Sequence, residues 1–376
     1  MSTASLDLAS ADEASSRLGI SRASLYAYVS RGLIRSFSSP HDPRQRLYAV
    51  KDVEKLVERK ARYRRPAVAA ATALDWGLPV LETSITQIKD GRLFYRGQDA
   101  VALARTASLE GAARLLIGGL DEEAFIRPSR VPRPLPGPAF GPHAFVAQAV
   151  RLLSEPAPKE TRSAEVAAIL RLMAAAASGA DPGIEPLHTH LVSAWRAPLQ
   201  AKDAIRRALV LCADHELSSS SFAVRVTAST GASLRYATIA GLVALSGPYH
   251  GGMTERVRAF LDNPGTAPHP GFRHRLYPDG DPRAQALLEN VPLLASDATT
   301  LKTIANASGD SPSVDVALVM MERAYGLPMG AAFTVFAIGR TAGWLAHAIE
   351  QRSQAALIRP RARYVAADEP PAQKSS

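Results

Sequence analysis

Three short stretches combine titratable side chains with residues that bend the backbone. His250 lies in SGPYHGGMTERV (246–257), between Gly-Pro-Tyr and Gly-Gly. His274 and Arg283 lie in GFRHRLYPDGDPR (271–283), and Asp315 opens an otherwise apolar run in SPSVDVALVMMERAYGLP (311–328). Two imidazoles and a carboxylate suit proton abstraction next to a carbonyl. The carboxylate takes the proton, and a positioned donor stabilises the oxygen on which negative charge develops. A second donor can polarise an electrophile's carbonyl, so that a carbon–carbon bond forms. Taken singly, each residue has a plainer reading: a loop histidine with a satisfied hydrogen bond, or an aspartate that caps its helix. Spacing alone leaves both readings open.

These groups sit in a region of helical periodicity. Asp99–Ala107, Ser108–Gly118, Ala164–Ser178, Ala201–Cys212, Phe222–Ser246, Glu255–Asp262, Pro282–Leu288, Asp315–Tyr325 and Ala331–Glu350 read as helices. ITQIKDGRLFY (85–95) alternates around Asp90-Gly91 and reads as a β-hairpin. The Pro/Gly-rich run at 127–142 reads as a surface loop. The expected fold class is mainly α with a minor hairpin.

The chain has 376 residues, of which 47% are hydrophobic and 21% charged, which suits a globular protein of two or three domains. Its single Cys212 excludes an internal disulfide and a cysteine-rich metal site, and fits a reducing compartment. The first residues, MSTASLDLASADEA, lack the basic start and apolar run of a signal peptide. Apolar runs such as Val316–Met321 meet charges too soon to span a bilayer. The expectation is a cytoplasmic protein with no membrane partner.

Net charge is +9 and uneven: residues 1–66 hold 13 Lys/Arg against 7 Asp/Glu. Either this is a solvated basic face or it binds a polyanion, since Lys and Arg gain affinity by releasing counterions from phosphates. In SADEASSRLGISRASLYAYVSRGL (10–33), Ser10 or Asp12 can cap a helix that turns Ala14 and Leu18 inward and ends at Gly19. Ser21 can cap a second helix, Arg22 to Ser30, closed by Gly32. Pro40 to Pro43 read as a turn, Arg44 to Tyr48 as the return strand of a small wing, and Val50, Val53, Leu56 and Val57 recur at helical spacing. This series resembles the MerR-type winged helix-turn-helix domain, whose second helix enters the major groove. The resemblance makes Arg22, Ser24, Tyr26, Tyr28 and Arg31 the candidate DNA contacts. The alternative is a packing module with no DNA role.

Seven further blocks occur in order: YRGQDAVALA (95–104), DHELSSSSFAVRVTAST (214–230), GPYHGGMTE (247–255), GFRHRLYPDGDPRA (271–284), VDVAL (314–318), FAIGRTAGWLAHAIEQ (336–351) and LIRPRARYV (357–365). The series resembles the citrate synthase family over roughly residues 75–366. The resemblance implies a fold of large and small helical domains over residues 67–366, preceded by the 1–66 domain and followed by a frayed tail, 367–376. It implies that Asp315 removes the methyl proton of acetyl-CoA, that His250 donates to the thioester oxygen, and that His274 polarises the oxaloacetate ketone. His215, Arg283, Arg340 and Arg359 match the substrate-binding residues, with Arg361 the alternative to Arg359. Arg359 is expected to reach the neighbouring active site of a homodimer. Gly271 and Phe272 match the loop near the adenine of CoA. Acyl-CoA is then a co-substrate, with no metal and no tightly bound cofactor.

The sequence departs from the common family pattern at Ser218, Tyr249, Met253, Thr254, Arg273, Ser313 and Val316, none of them a proposed catalytic group. Ser313 and Val316 flank the base and bear on its position and on the room for the acyl group. A 2-methylcitrate synthase using propionyl-CoA is therefore an alternative. So is a DNA-binding regulator that uses the synthase fold to sense citrate, oxaloacetate or acyl-CoA.

Overall fold

The computed structural model describes residues 7–30, 32–39, 42, 45–54, 56–57, 80–128, 131, 137, 141–156, 159–265, 268–362 and 364. The chain divides into two compact units, Met1–Glu82 and Thr83–Ser376. The boundary expected at 66–67 falls within 58–79, outside the described residues, as do Arg31, Pro40, Pro43 and Arg44 and the 367–376 tail.

In the first unit, helix α1 (Ala11–Leu18) starts at Ser10 rather than Asp12. The Ser10 hydroxyl accepts from the N–H of Glu13, and the Glu13 carboxylate accepts from the N–H of Ser10, a reciprocal cap that satisfies two orphan donors. Gly19 ends the helix in the left-handed conformation. Helix α2 (Arg22–Ser30) follows Ser21, whose Oγ accepts from the N–H of Ser24 at 3.3 Å. Strands β1 (Leu8–Ala9), β2 (Ser36–Ser38) and β3 (Arg46–Ala49) form an antiparallel sheet in the order β1-β3-β2. The return strand begins at Arg46, and β1, too short to leave an alternating pattern, is an addition to the expected wing. Helical residues 50–54 and 56–57 (α3) follow. Ala14, Leu18, Leu25, Ile34, Tyr48 and Val53 make the core of this unit.

The second unit opens with β4 (Thr86–Lys89) and β5 (Arg92–Tyr95), joined by Asp90 and Gly91, both at positive φ as a tight hairpin turn requires. β6 (Gln98–Asp99) adds a third strand. Helices follow: α4 (Ala100–Ala104), α5 (Leu109–Ile117), α6 (Pro142–Ser154), α7 (Arg162–Ser178), α8 (Leu187–Ala194), α9 (Ala201–Leu211), α10 (Ser219–Ser229), α11 (Leu234–Leu245), α12 (Met253–Asp262), α13 (Pro282–Leu288), α14 (Ala295–Ser308), α15 (Val314–Ala324) and α16 (Ala331–Gln354).

The helix expected over Phe222–Ser246 is two helices. Gly231, at φ +85°, interrupts it, and Ser233 caps α11 by accepting from the N–H of Tyr236. Of the loop expected over 127–142, residues 129–130, 132–136 and 138–140 lie outside the described residues, and Pro142 instead takes the first position of α6, where a missing N–H is harmless. Helices α6, α8 and α14 were not legible: α6 directly follows the Pro/Gly-rich run, and α14, ASDATTLKTIANAS, carries too few apolar residues for a periodic stripe.

Helix α16 is the centre of this unit. Residues 331–348 are buried, and α5, α9, α10, α11 and α15 pack around it. A helix apolar on all sides is a core helix. Close approach is possible because Gly339 and Gly343 face the end of α9. A Cβ on Gly343 would lie 2.4 Å from the carbonyl oxygen of Ala213, and the Gly343 N–H donates to that oxygen at 2.9 Å. Backbone contact thus ties α16 to the turn that carries His215. Among the described residues no helix is long and apolar enough to cross a membrane.

Candidate active site

His215, His274 and Tyr277 are in mutual contact, and Arg283 joins them through Tyr277. His215 follows the end of α9. His274 and Tyr277 belong to the loop before α13, closed by a bridge between them. Arg283 is in the first turn of α13. The rings of His215 and His274 meet edge-on with centroids 5.1 Å apart, and the Tyr277 ring lies 5.1 Å from His274 and 5.6 Å from His215. The Tyr277 hydroxyl is 2.9 Å from His215 Nε2, and the Arg283 guanidinium stacks on the Tyr277 ring at 5.5 Å. Asp281 grips Arg283 through both oxygens, Nε to Oδ1 at 2.9 Å and Nη2 to Oδ2 at 2.7 Å. Burial opposes the charge on Arg283, but the Asp281 carboxylate outweighs it and holds the guanidinium protonated. His274 Nδ1 accepts from the N–H of Leu276 at 3.2 Å, so the neutral ring carries its proton on Nε2 as a donor.

A second group surrounds His250, in the turn between α11 and α12. Its Nε2 is 2.8 Å from Ser220 Oγ, and the Trp344 indole donates to the same oxygen at 3.1 Å. An indole only donates, so Ser220 accepts there; its own proton goes either to His250 Nε2 or to Ser218 Oγ at 3.2 Å, and the first arrangement puts the His250 proton on Nδ1. The glycines after His250 serve the backbone. A Cβ on Gly252 would lie 2.7 Å from the carbonyl oxygens of Ser246 and Gly247. His250 meets Phe336 edge-on at 6.1 Å, and Arg340 lies over the same Phe336 ring at 5.0 Å. Arg340 Nε donates to the carbonyl of Cys212 at 2.9 Å and Nη1 to Ser218 Oγ at 3.3 Å, while Nη2 is buried without a hydrogen-bond partner. Arg340 is 1% exposed and forms no ion pair among the described residues, so it is not a helix-surface ion pair. Burial lowers its proton affinity.

All three histidines are held neutral. Burial, then the charge of Arg340, pushes His250 down to about 3. Burial, then Arg283, pushes His274 down to about 4. His215 is driven well below its usual range by burial and by Arg283 and Arg340. Asp315 goes the other way. Burial raises it to about 6 against the pull of Arg283 and a hydrogen bond from Ser313. It is not the helix cap, a place Ser313 takes, and its Oδ1 is buried with no hydrogen-bond partner.

Other candidates lie elsewhere. Arg359 is exposed, on the segment after α16 that is pinned where the Ile358 N–H donates to Ser229 Oγ, at the end of α10 remote from Ser220. Gly271 and Phe272 make internal contacts. The Gly271 carbonyl accepts from the N–H of Ser313, and Phe272 is buried against Phe260 and His269. Val316 is fully buried against Gly271. In the first unit, Arg22 pairs with Asp12 at 2.5 Å and Ser24 contacts Ser21. Tyr28 packs on the core, and Tyr26 is exposed. Sequence reasoning missed Tyr277, Asp281, Ser220 and Trp344. A signal for Asp281 existed, an acid two residues before a candidate cation. Ser220 and Trp344 are 124 residues apart, beyond any local pattern. No group of three or more His, Cys, Asp or Glu side chains that could hold a metal occurs among the described residues.

Comparison with known proteins matches residues 135–361 to the family described as citrate synthase, C-terminal domain. Citrate synthase 2 of Bacillus subtilis is 32% identical over 201 residues, 44% of this chain and 51% of that protein. 2-Methylcitrate synthase 2 of Corynebacterium glutamicum is 30% identical over 192 residues, 44% of this chain and 50% of that protein. The chain spans about half the length of the curated relatives it matches. The crystal structure of citrate synthase from Thermotoga maritima superposes with a TM-score of 0.65, at 23% identity, over 79% of this chain and 96% of that one, a similarity of fold.

Proposed function

The chain belongs to the citrate synthase family, since the matched segment covers more than half of it, and from that membership we propose that it condenses an acyl-CoA with oxaloacetate. The observation that carries this reading is a pair of unsatisfied groups, each within electrostatic reach of Arg283. The buried Arg340 has a donor with no acceptor, and Asp315 has an oxygen with no donor. Asp214 offsets part of the Arg340 charge, but the buried Nη2 donor is costly until an acceptor arrives, and a carboxylate raised to about 6 is poised as a base near neutrality.

In this reading Arg340, the free edge of Arg283 and His215 hold the two carboxylates of oxaloacetate. Asp315 Oδ1 takes a proton from the carbon next to the thioester carbonyl. Nδ1–H of His250 donates to the thioester oxygen as the enol forms, and Nε2–H of His274 polarises the ketone that the enol carbon attacks. Neutral donors suit both tasks, because they stabilise developing negative charge without first giving up a proton. Water then cleaves the thioester, giving citrate and CoA from acetyl-CoA, or 2-methylcitrate from propionyl-CoA. Arg359 completes the site of a second copy. Its exposure and the anchoring of its segment at Ser229, at the opposite end of α10 from Ser220, support this, as do the exposed Tyr236 and Val243 on α11.

The first unit is proposed to contact DNA through α2, a reading supported by the charge excess of residues 1–66 and the exposed Tyr26. The synthase reading is tested by CoA release from oxaloacetate with acetyl-CoA and propionyl-CoA in turn. The faster donor names the acyl substrate, and release with neither donor would refute the reading.

A further inference from the structure

A serine at a helix N-cap ordinarily accepts a hydrogen bond from the second or third backbone N–H of the helix. Ser313 is the N-cap of α15, yet its side chain makes no such bond. Its hydroxyl donates instead to Oδ2 of Asp315 at 3.2 Å. The donor is firmly placed. The Ser313 N–H is bound to the carbonyl of Gly271 at 2.9 Å, the N–H of Val314 to Asp281 at 3.0 Å, and Ser313 itself is 3% exposed.

The last torsion of an aspartate is soft and roughly two-fold, so a carboxylate free at both oxygens presents either one. Here one oxygen is tethered to a fixed hydroxyl and the other is buried without a partner. We propose that Ser313 is a positioning residue for proton abstraction: it holds Oδ2 of Asp315 so that Oδ1 alone is offered to the carbon acid. This rests on the reading of Asp315 as the base.

The hydroxyl has a second effect. A hydrogen bond to the ionised form lowers a carboxyl's proton affinity, so Ser313 moderates the upward push of burial. The charged and titratable groups around Asp315 are Arg283, which acts in the same direction, Asp281, which acts against it, and the buried thiol of Cys212 at the end of α9. Removing the hydroxyl therefore moves the acid limb of activity to higher pH.

The test uses the full chain carrying Ser313→Ala, Ser313→Cys or Ser313→Thr, with CoA release measured from pH 5 to 8. Ser313→Ala is expected to lower kcat about tenfold at pH 7, leave KM for oxaloacetate within about twofold, and raise the acid limb by about one pH unit. Cysteine, a weak donor, is expected to shift both in the same direction, and threonine to restore both. An unchanged kcat and acid limb in Ser313→Ala would overturn the proposal. So would equal impairment in the threonine variant, which marks a packing role. Should the alanine variant not fold, the cysteine and threonine pair decides on the same readings. Asp315→Asn separates the two layers. Activity surviving there removes the base assignment and this proposal with it, whereas a dead Asp315→Asn beside an unaltered Ser313→Ala removes this proposal alone.

Discussion

Oδ2 of Asp281 accepts the backbone N–H of Val314 at 3.0 Å while the same carboxylate grips Arg283. One buried acid therefore joins a cation proposed to bind the dicarboxylate to the first turn of the helix that carries Asp315. The two halves of the candidate chemistry are registered through a single side chain.

Replacing Asp315 by Asn is expected to lower condensation by roughly 10³-fold, the scale of a lost general base. The same change is expected to stabilise the protein at pH 7.5. The folded-state value of about 6 lies above the ordinary carboxyl range, so the stability from protonating Asp315 is present below that range and lost as pH rises through 6. Thermal unfolding should show Asp315→Asn higher by about 1–2 kcal/mol at pH 7.5, with the gap closing as pH falls through 6 toward the ordinary carboxyl range. A lower midpoint at pH 7.5 would contradict the buried, raised carboxyl.

The histidines set the opposite trend for the whole protein. His215, His250 and His274 are depressed in the folded state, so only the unfolded chain takes up their protons as pH falls below about 6.5. Stability from these groups is complete above that pH and shrinks toward pH 4, and three histidines outweigh the one aspartate. Urea unfolding at pH 7.5 and pH 5 should give a clearly lower midpoint at pH 5. His250→Gln should reduce the difference.

Arg340→Met is expected to weaken oxaloacetate binding by about 10²-fold, in line with a lost charge-assisted bond in a buried site. Arg340→Lys should not restore it, because a point charge cannot replace a guanidinium that already uses Nε and Nη1 to hold its place. Calorimetric titration with oxaloacetate checks both variants. Wild-type affinity in either would remove Arg340 from the anion site.

Binding of the full chain to duplex DNA should weaken steeply with salt, as counterion release requires. Tyr26→Ala should weaken it further at a fixed salt concentration. Absence of binding even at low salt would leave the first unit a packing module.

Much of this arrangement was legible because it lies in short contiguous stretches. His250 stood out by its glycines, Asp315 by its isolation in an apolar run, and the hairpin by Asp90-Gly91 between alternating residues. What stayed hidden depends on residues distant in sequence. Nothing around Trp344 announces that its indole donates to Ser220, and nothing around Val314 announces Asp281. The single helix read across Phe222–Ser246 failed because apolar residues recur at helical spacing on both sides of the break, which Gly231 and the capping Ser233 mark. Ser313 is legible as a departure from the family pattern two residues before Asp315, but its bond to Oδ2 requires the geometry of the α15 cap.

Helix α16 is the packing centre of its unit, and among the described residues it is also the last helix of that unit to be synthesised. Helices α5, α9, α10, α11 and α15 are all made before the element that covers their apolar faces. Until residue 354 is joined, a nascent chain exposes those faces with no partner in cis, the condition under which chaperones hold a polypeptide. Arg340 and Trp344 arrive on that same helix, so neither the proposed carboxylate site nor the support of His250 exists before α16 is made.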